Sequence, residues 1–105
     1  MKKTEMITTI TRECWKQWAH LESLKWEIIS GLEKGSRNYA EANKIVESNQ
    51  EFKSALDIWF GMSELADKIG IDWLNLGYNT NDIETIDARE DYTQLSIKIW
   101  RWCKA

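Results

Sequence analysis

The chain has 105 residues, of which 43% are hydrophobic and 30% charged, and its formal net charge is −3. Ordinary globular composition at the usual size of one domain argues against disorder and against two domains, so residues 1–105 read as a single unit. The apolar runs fall far short of the roughly 20 residues that span a bilayer, and the 14 Lys and Arg are spread without the basic cluster that neutralises phosphates. A membrane and direct contact with nucleic acid are therefore not expected.

The start, Met1-Lys2-Lys3-Thr4-Glu5, is positive but continues into threonines and charges, so no export signal is read and a cytoplasmic location is expected. Cys14 and Cys103 then read as buried thiols in a reducing compartment; a disulfide joining the terminal helices fits only an exported chain. Neither cysteine has a metal-ligand neighbour and His20 is the only histidine, so no zinc site and no cofactor is expected. The chain lacks proline and holds seven tryptophans. The first permits long unbroken helices. The second builds a dense core from few residues, or offers aromatic anchors to a partner.

The first predicted element runs from about Thr4 to Lys34. Ile7, Ile10, Cys14, Trp18, Leu21, Leu24, Ile28 and Leu32 recur in steps of three and four, which places them on one helix face. Thr4 suits the N-cap and Gly35 the C′ position. The second element runs from about Ser36, a candidate N-cap, to Ile69. Its seam is Tyr39, Ala42, Ile45, Asn49, Phe52, Leu56, Trp59, Ser63 and Ala66. Asn49 and Ser63 fall on the seam and are expected to hydrogen-bond across helices or to sit at its wet edge. Gly61 is the internal weak point, where a kink is expected, and Gly70 ends the pattern.

Gly70 to Thr80 is too short for another long helix, and its Ile71, Trp73, Leu74, Leu76 and Tyr78 predict a hydrophobic plug with about one helical turn. The last element starts at Asn81 or Asp82 and runs to about Cys103, with Asn81 and Glu84 in capping-box spacing. Ala88, Tyr92, Leu95, Ile99 and Trp102 share one face. The expected fold is all-α: an antiparallel bundle of three long helices, up-down-up, with the short plug between helices two and three. A first helix of about 30 residues implies a rod about 45 Å long.

Helix-borne carboxylates are the candidate catalytic groups. Glu64 and Asp67 form an E-x-x-D pair, as do Glu84 and Asp87, and such pairs hold Mg²⁺ for phosphate chemistry in some all-α enzymes. The stretch Glu64-Leu65-Ala66-Asp67 resembles the E-L-A-D stretch of MazG-like nucleotide pyrophosphohydrolases, over those four residues. The E-x-x-E element of that family is absent upstream, where Glu47 and Glu51 are spaced E-x-x-x-E. The resemblance implies a Mg²⁺-dependent nucleotide phosphohydrolase as the alternative reading; solvent-facing charge on an amphipathic helix is preferred. A di-iron bundle needs two E-x-x-H motifs, which one histidine cannot supply. Arg12, Arg37, Arg89 and Arg101 all fall on polar faces, and His20 lies too far from Cys14 to act as its base.

Asp82, Glu84, Asp87, Glu90 and Asp91 crowd the start of the last element. As a surface, Asp87, Glu90 and Asp91 would be an acidic strip that mimics DNA or docks on a basic protein; as local chemistry, acids early and Lys98, Arg101 and Lys104 late complement the helix dipole. The tryptophans are more informative. Trp15, Glu22, Trp26 and Ile29 lie within roughly 60° of one another, away from the Leu21–Ile28 direction. Ile86, Thr93, Ile97 and Trp100 make a second stripe almost opposite Leu95 and Trp102. Surplus apolar arcs of this kind are filled from within or covered by a partner. Trp15, Trp26, Ile29, Ile86, Ile97 and Trp100 are therefore the interface candidates, for a protein partner or a homodimer. The expected function is that of a small acidic interaction protein without enzymatic activity, of the inhibitor, immunity or phage counter-defence type, that binds a larger protein. Acidic DNA mimicry is the third reading.

Overall fold

The computed structural model describes residues 2–32 and 38–104. It is 87% helical, with no strand among the described residues. Among the described residues five helices follow in order: α1 Lys3–Ser30, α2 Tyr39–Ser48, α3 Gln50–Lys68, α4 Trp73–Tyr78 and α5 Ile83–Lys104.

α1 begins one residue before the expected cap. Lys2 occupies the N-cap position without a side-chain hydrogen bond, and Thr4 lies inside the helix. It also ends at Ser30, short of Lys34; the expected Gly35 and Ser36 signals lie outside the described residues. The larger departure is at Asn49. The second predicted helix is two helices, because Asn49 is extended (ψ 125°) and its side chain accepts from the Phe52 backbone N–H at 3.0 Å. Asparagine is a weak interior helix residue and a strong N-cap. Apolar spacing carries straight across the break, so periodicity alone does not report it. Asn49 is thus a cap rather than a seam residue, and Gly61, the expected kink, lies inside continuous α3.

α3 stops in a Schellman motif. Gly70 takes φ 78°, its N–H bonds Asp67 O at 3.1 Å, and the Ile71 N–H bonds Ala66 O at 2.8 Å. The plug contains α4, capped by Asp72. At the start of α5, Asp82 replaces the expected Asn81–Glu84 box: its Oδ2 accepts from the Thr85 N–H at 3.1 Å and the Thr85 hydroxyl at 2.7 Å. Glu84 instead points to Lys16 at 2.8 Å.

Helices α2, α3, α4 and α5 all pack on α1. One buried cluster joins Leu21, Leu24 and Ile29 of α1 to Ala42, Val46, Phe52 and Ile99. The other joins Cys14 and Trp15 to Ala66, Ile71, Trp73 and Ala88. Trp18 and Trp59 border both and bridge them. The Cα atoms span 52 × 24 × 16 Å with a radius of gyration of 15.3 Å, against about 13 Å for a compact chain of this length. A narrow, flattened body leaves each outer helix with unburied side.

Candidate functional site

An aromatic frame surrounds α4. Trp15 meets Trp73 edge-on at 5.6 Å, and Trp18 stacks on Trp59 at 5.9 Å, with Trp73 edge-on to Trp18 at 5.3 Å. Tyr92 of α5 closes on Trp18 at 4.1 Å. The Trp15 Nε1–H donates to Trp73 O at 3.1 Å, which satisfies the buried indole and ties α4 to α1. Burial, and then the nearby Glu22 charge, raise the Tyr92 phenol above its ordinary value.

An ionic clamp fixes α5 beside α1. Arg12 bonds both Asp82 oxygens, at 2.9 and 2.7 Å, and lies 3.4 Å from Glu84. The Arg12 guanidinium, followed by hydrogen bonds from Thr85, holds the Asp82 carboxyl well below the usual carboxylate range. Lys16 lowers Glu84 in the same way.

The frame decides several of the expected contacts. Trp15 and Ile29 have no exposed surface and belong to the core, so neither can anchor a partner. Both lie in the angle between the directions of α3 and α5, which the plug and α2 fill; a wheel of α1 alone does not contain those elements. Trp26 is half-buried against the first cluster. On α5 the stripe is different: Ile86 is half-buried, Ile97 is 37% exposed and Trp100 61% exposed. Trp100 also borders a groove of about 570 Å³ shared with Glu22, Lys25, Tyr39, Tyr92 and Cys103.

Of the acids crowding the start of α5, Asp82 and Glu84 are engaged by α1, leaving Asp87, Glu90 and Asp91 exposed. Glu64 and Asp67 are exposed on α3, and among the described residues no group of three or more His, Cys, Asp or Glu is placed to hold a metal ion. His20 is exposed in a groove between α1 and α5, with Lys16, Asp91 and Lys98. Cys14 and Cys103 are free thiols in different clusters. Burial, then the Asp67 charge, push the Cys14 thiol up to about 11.

A further surface is absent from the sequence reading. On α3, Ile58 and Leu65 are each 56% exposed and Met62 is half-buried against the second cluster, while Ile69, the C-cap, is exposed. Their steps of four, three and four set them within about 60° of one another, about 90° from the buried row of Phe52, Trp59 and Ala66. The signal was present as a second row at the same spacing, overshadowed by the aromatic one. Gly61 lies beside it, and a Cβ there would meet nothing within 4 Å. No contact among the described residues explains this glycine.

No family model, curated protein or solved structure matches the chain.

Proposed function

We propose that this chain is a non-enzymatic interaction protein that lays the apolar row of α3 into a hydrophobic groove of a larger protein. The observation that carries the reading is Ile58, Leu65 and Ile69 exposed in one row, with Met62 half-buried between them and Gly61 beside them. An amphipathic helix docks through anchors at this spacing, and a glycine beside them lets a partner backbone approach closely. A mid-helix glycine costs about 1 kcal/mol against alanine, and no contact among the described residues offsets it.

The frame supports the docking helix. Arg12–Asp82, Lys16–Glu84 and Ser96–Glu22 contacts rise together along α1 and α5. Gln17–Ala55 and Trp18–Trp59 contacts, with Cys14 near Asp67, give α3 the opposite sense. We read this as one up-down-up bundle with α2 and α3 as its broken middle member. Two free thiols suit a reducing compartment such as the cytoplasm.

The test is stoichiometric capture of a partner from cell extract by the tagged chain, repeated with Leu65→Asp. Capture by the parent, lost in the variant at unchanged melting temperature, supports the reading. A parent that captures nothing, or a variant that captures equally, refutes it.

A further inference from the structure

The groove between α1, α2 and α5 joins bare aromatic rings to charged groups withdrawn from solvent. Its volume of about 570 Å³ is that of a small-molecule site, and none of its lining residues belongs to α3. Tyr39 and Trp100 border it with exposed rings, and buried Ile99 lines it from the core. Lys25 decides what it takes. The Lys25 side chain is 17% exposed, and that of Glu22 beside it 14%. Yet the Lys25 Nζ stands 3.4 Å from the Tyr39 hydroxyl and 3.9 Å from the Glu22 carboxylate, with no closer acceptor among the described residues. Both distances exceed those of a full-strength N–H···O bond. An ammonium carries three donors, and drawing it out of water without a close acceptor costs free energy. Glu22 is better served, since the Ser96 hydroxyl donates to it at 3.1 Å. The unmet group is therefore the cation, and an anionic oxygen completes it.

The charge around Lys25 points the same way. Lys104 is a second ammonium on the groove, 5.4 Å from the centre of the Trp100 ring. Against these two lysines the described lining sets the single carboxylate of Glu22. A cationic ligand would meet two like charges, and each exposed ring already has a lysine over it, Lys25 lying 5.7 Å from the centre of Tyr39. Water serves the ammonium but gains nothing from the bare indole beside it. An anion with a flat apolar body answers both.

We propose that this groove binds a small aromatic carboxylate, whose carboxylate accepts from Lys25 and whose ring lies against Trp100. Such a ligand joins α2 to α5, and because the groove exists only in the folded chain, binding raises the melting temperature.

Naphthoate, naphthamide and naphthylmethylammonium test this with one ring system and three charges. Each is titrated into the full chain while the indole and amide N–H resonances are followed by NMR. Naphthoate is expected to shift the Trp100 indole and the groove amides saturably, and to bind roughly tenfold or more tightly than naphthamide, as a gained charged hydrogen bond does. The ammonium is expected to bind more weakly still. Decahydronaphthoate, with the same charge and no flat face, is expected to bind severalfold more weakly than naphthoate. Lys25→Met is expected to bring naphthoate down to the affinity of naphthamide and to leave naphthamide unmoved, which a general loss of structure would not do. Trp100→Ala, at an exposed site, is expected to weaken both severalfold. The charge series on the parent decides the matter even where Lys25→Met does not fold. Naphthoate that shifts no groove resonance, or binds no better than naphthamide or decahydronaphthoate, overturns the proposal, as does a folded Lys25→Met chain that keeps the preference for naphthoate. Leu65→Asp should leave naphthoate binding unmoved, so the α3 reading can fail while this one stands.

Discussion

Gly77 lies with its backbone against the indole of Trp15, so close that any Cβ at 77 would overlap the Nε1 edge of the ring. That contact lets α4 seat on the aromatic frame and lets Trp15 reach Trp73 O. Gly77→Ala should cost about 1–3 kcal/mol by overpacking, and Trp15→Ala about 3–5 kcal/mol by leaving a cavity. In the Trp15→Ala background, Gly77→Ala should become nearly neutral, because the obstructing ring is gone. Urea unfolding of the two single variants and the double variant measures this; strict additivity would contradict it. Trp100→Ala, at an exposed site, should change monomer stability by no more than about 0.5 kcal/mol.

The Arg12–Asp82 pair makes stability pH-dependent. Folding lowers the Asp82 carboxyl well below its ordinary value, so the folded state binds that proton less readily than the unfolded state. The pair's contribution is therefore complete above the unfolded aspartate value, about 3.9, and is lost as pH falls through the depressed folded value. Arg12→Gln should melt below the parent at pH 7, and the gap should shrink progressively below about pH 4. A gap that stays constant or widens in acid would show that Arg12 stabilises by packing of its stem.

Gly61→Ala sets folding against docking. The glycine lies within α3 at ordinary helical φ, with space around it, so alanine should raise the stability of the isolated chain by about 1 kcal/mol. The methyl group should at the same time hold a partner helix away and weaken capture. Thermal melting and the capture assay report the two effects separately. Stabilisation with undiminished capture would remove Gly61 from the docking face.

Much of the fold was legible in the residues. Steps of three and four gave α1, the length of α5 and the helical character of residues 39–68. Gly70 marked the end of α3, and the apolar stretch after it marked the plug. Asn49 was legible only as chemistry. The same side chain that sits on a heptad seam also caps a helix, and the choice depends on how α2 must turn to bury Ala42 and Val46. Glu84 was misread in the same way, since its partner Lys16 lies 68 residues away in sequence.

The surface was harder to read than the core. A helical wheel assigns angles but does not say which neighbours occupy them. Trp15 and Trp100 both stood outside the main row of their helices. Trp15 is enclosed because α4 and Tyr92 arrive from distant parts of the chain, and Trp100 stays 61% exposed because Lys25 and Tyr39 meet it only at the rim of an open groove. Periodicity is local, so the sequence by itself determined that these residues form helices and which rows are apolar. Burial is a property of several segments at once, so only the tertiary structure decided which rows are core and left those of α3 and α5 uncovered.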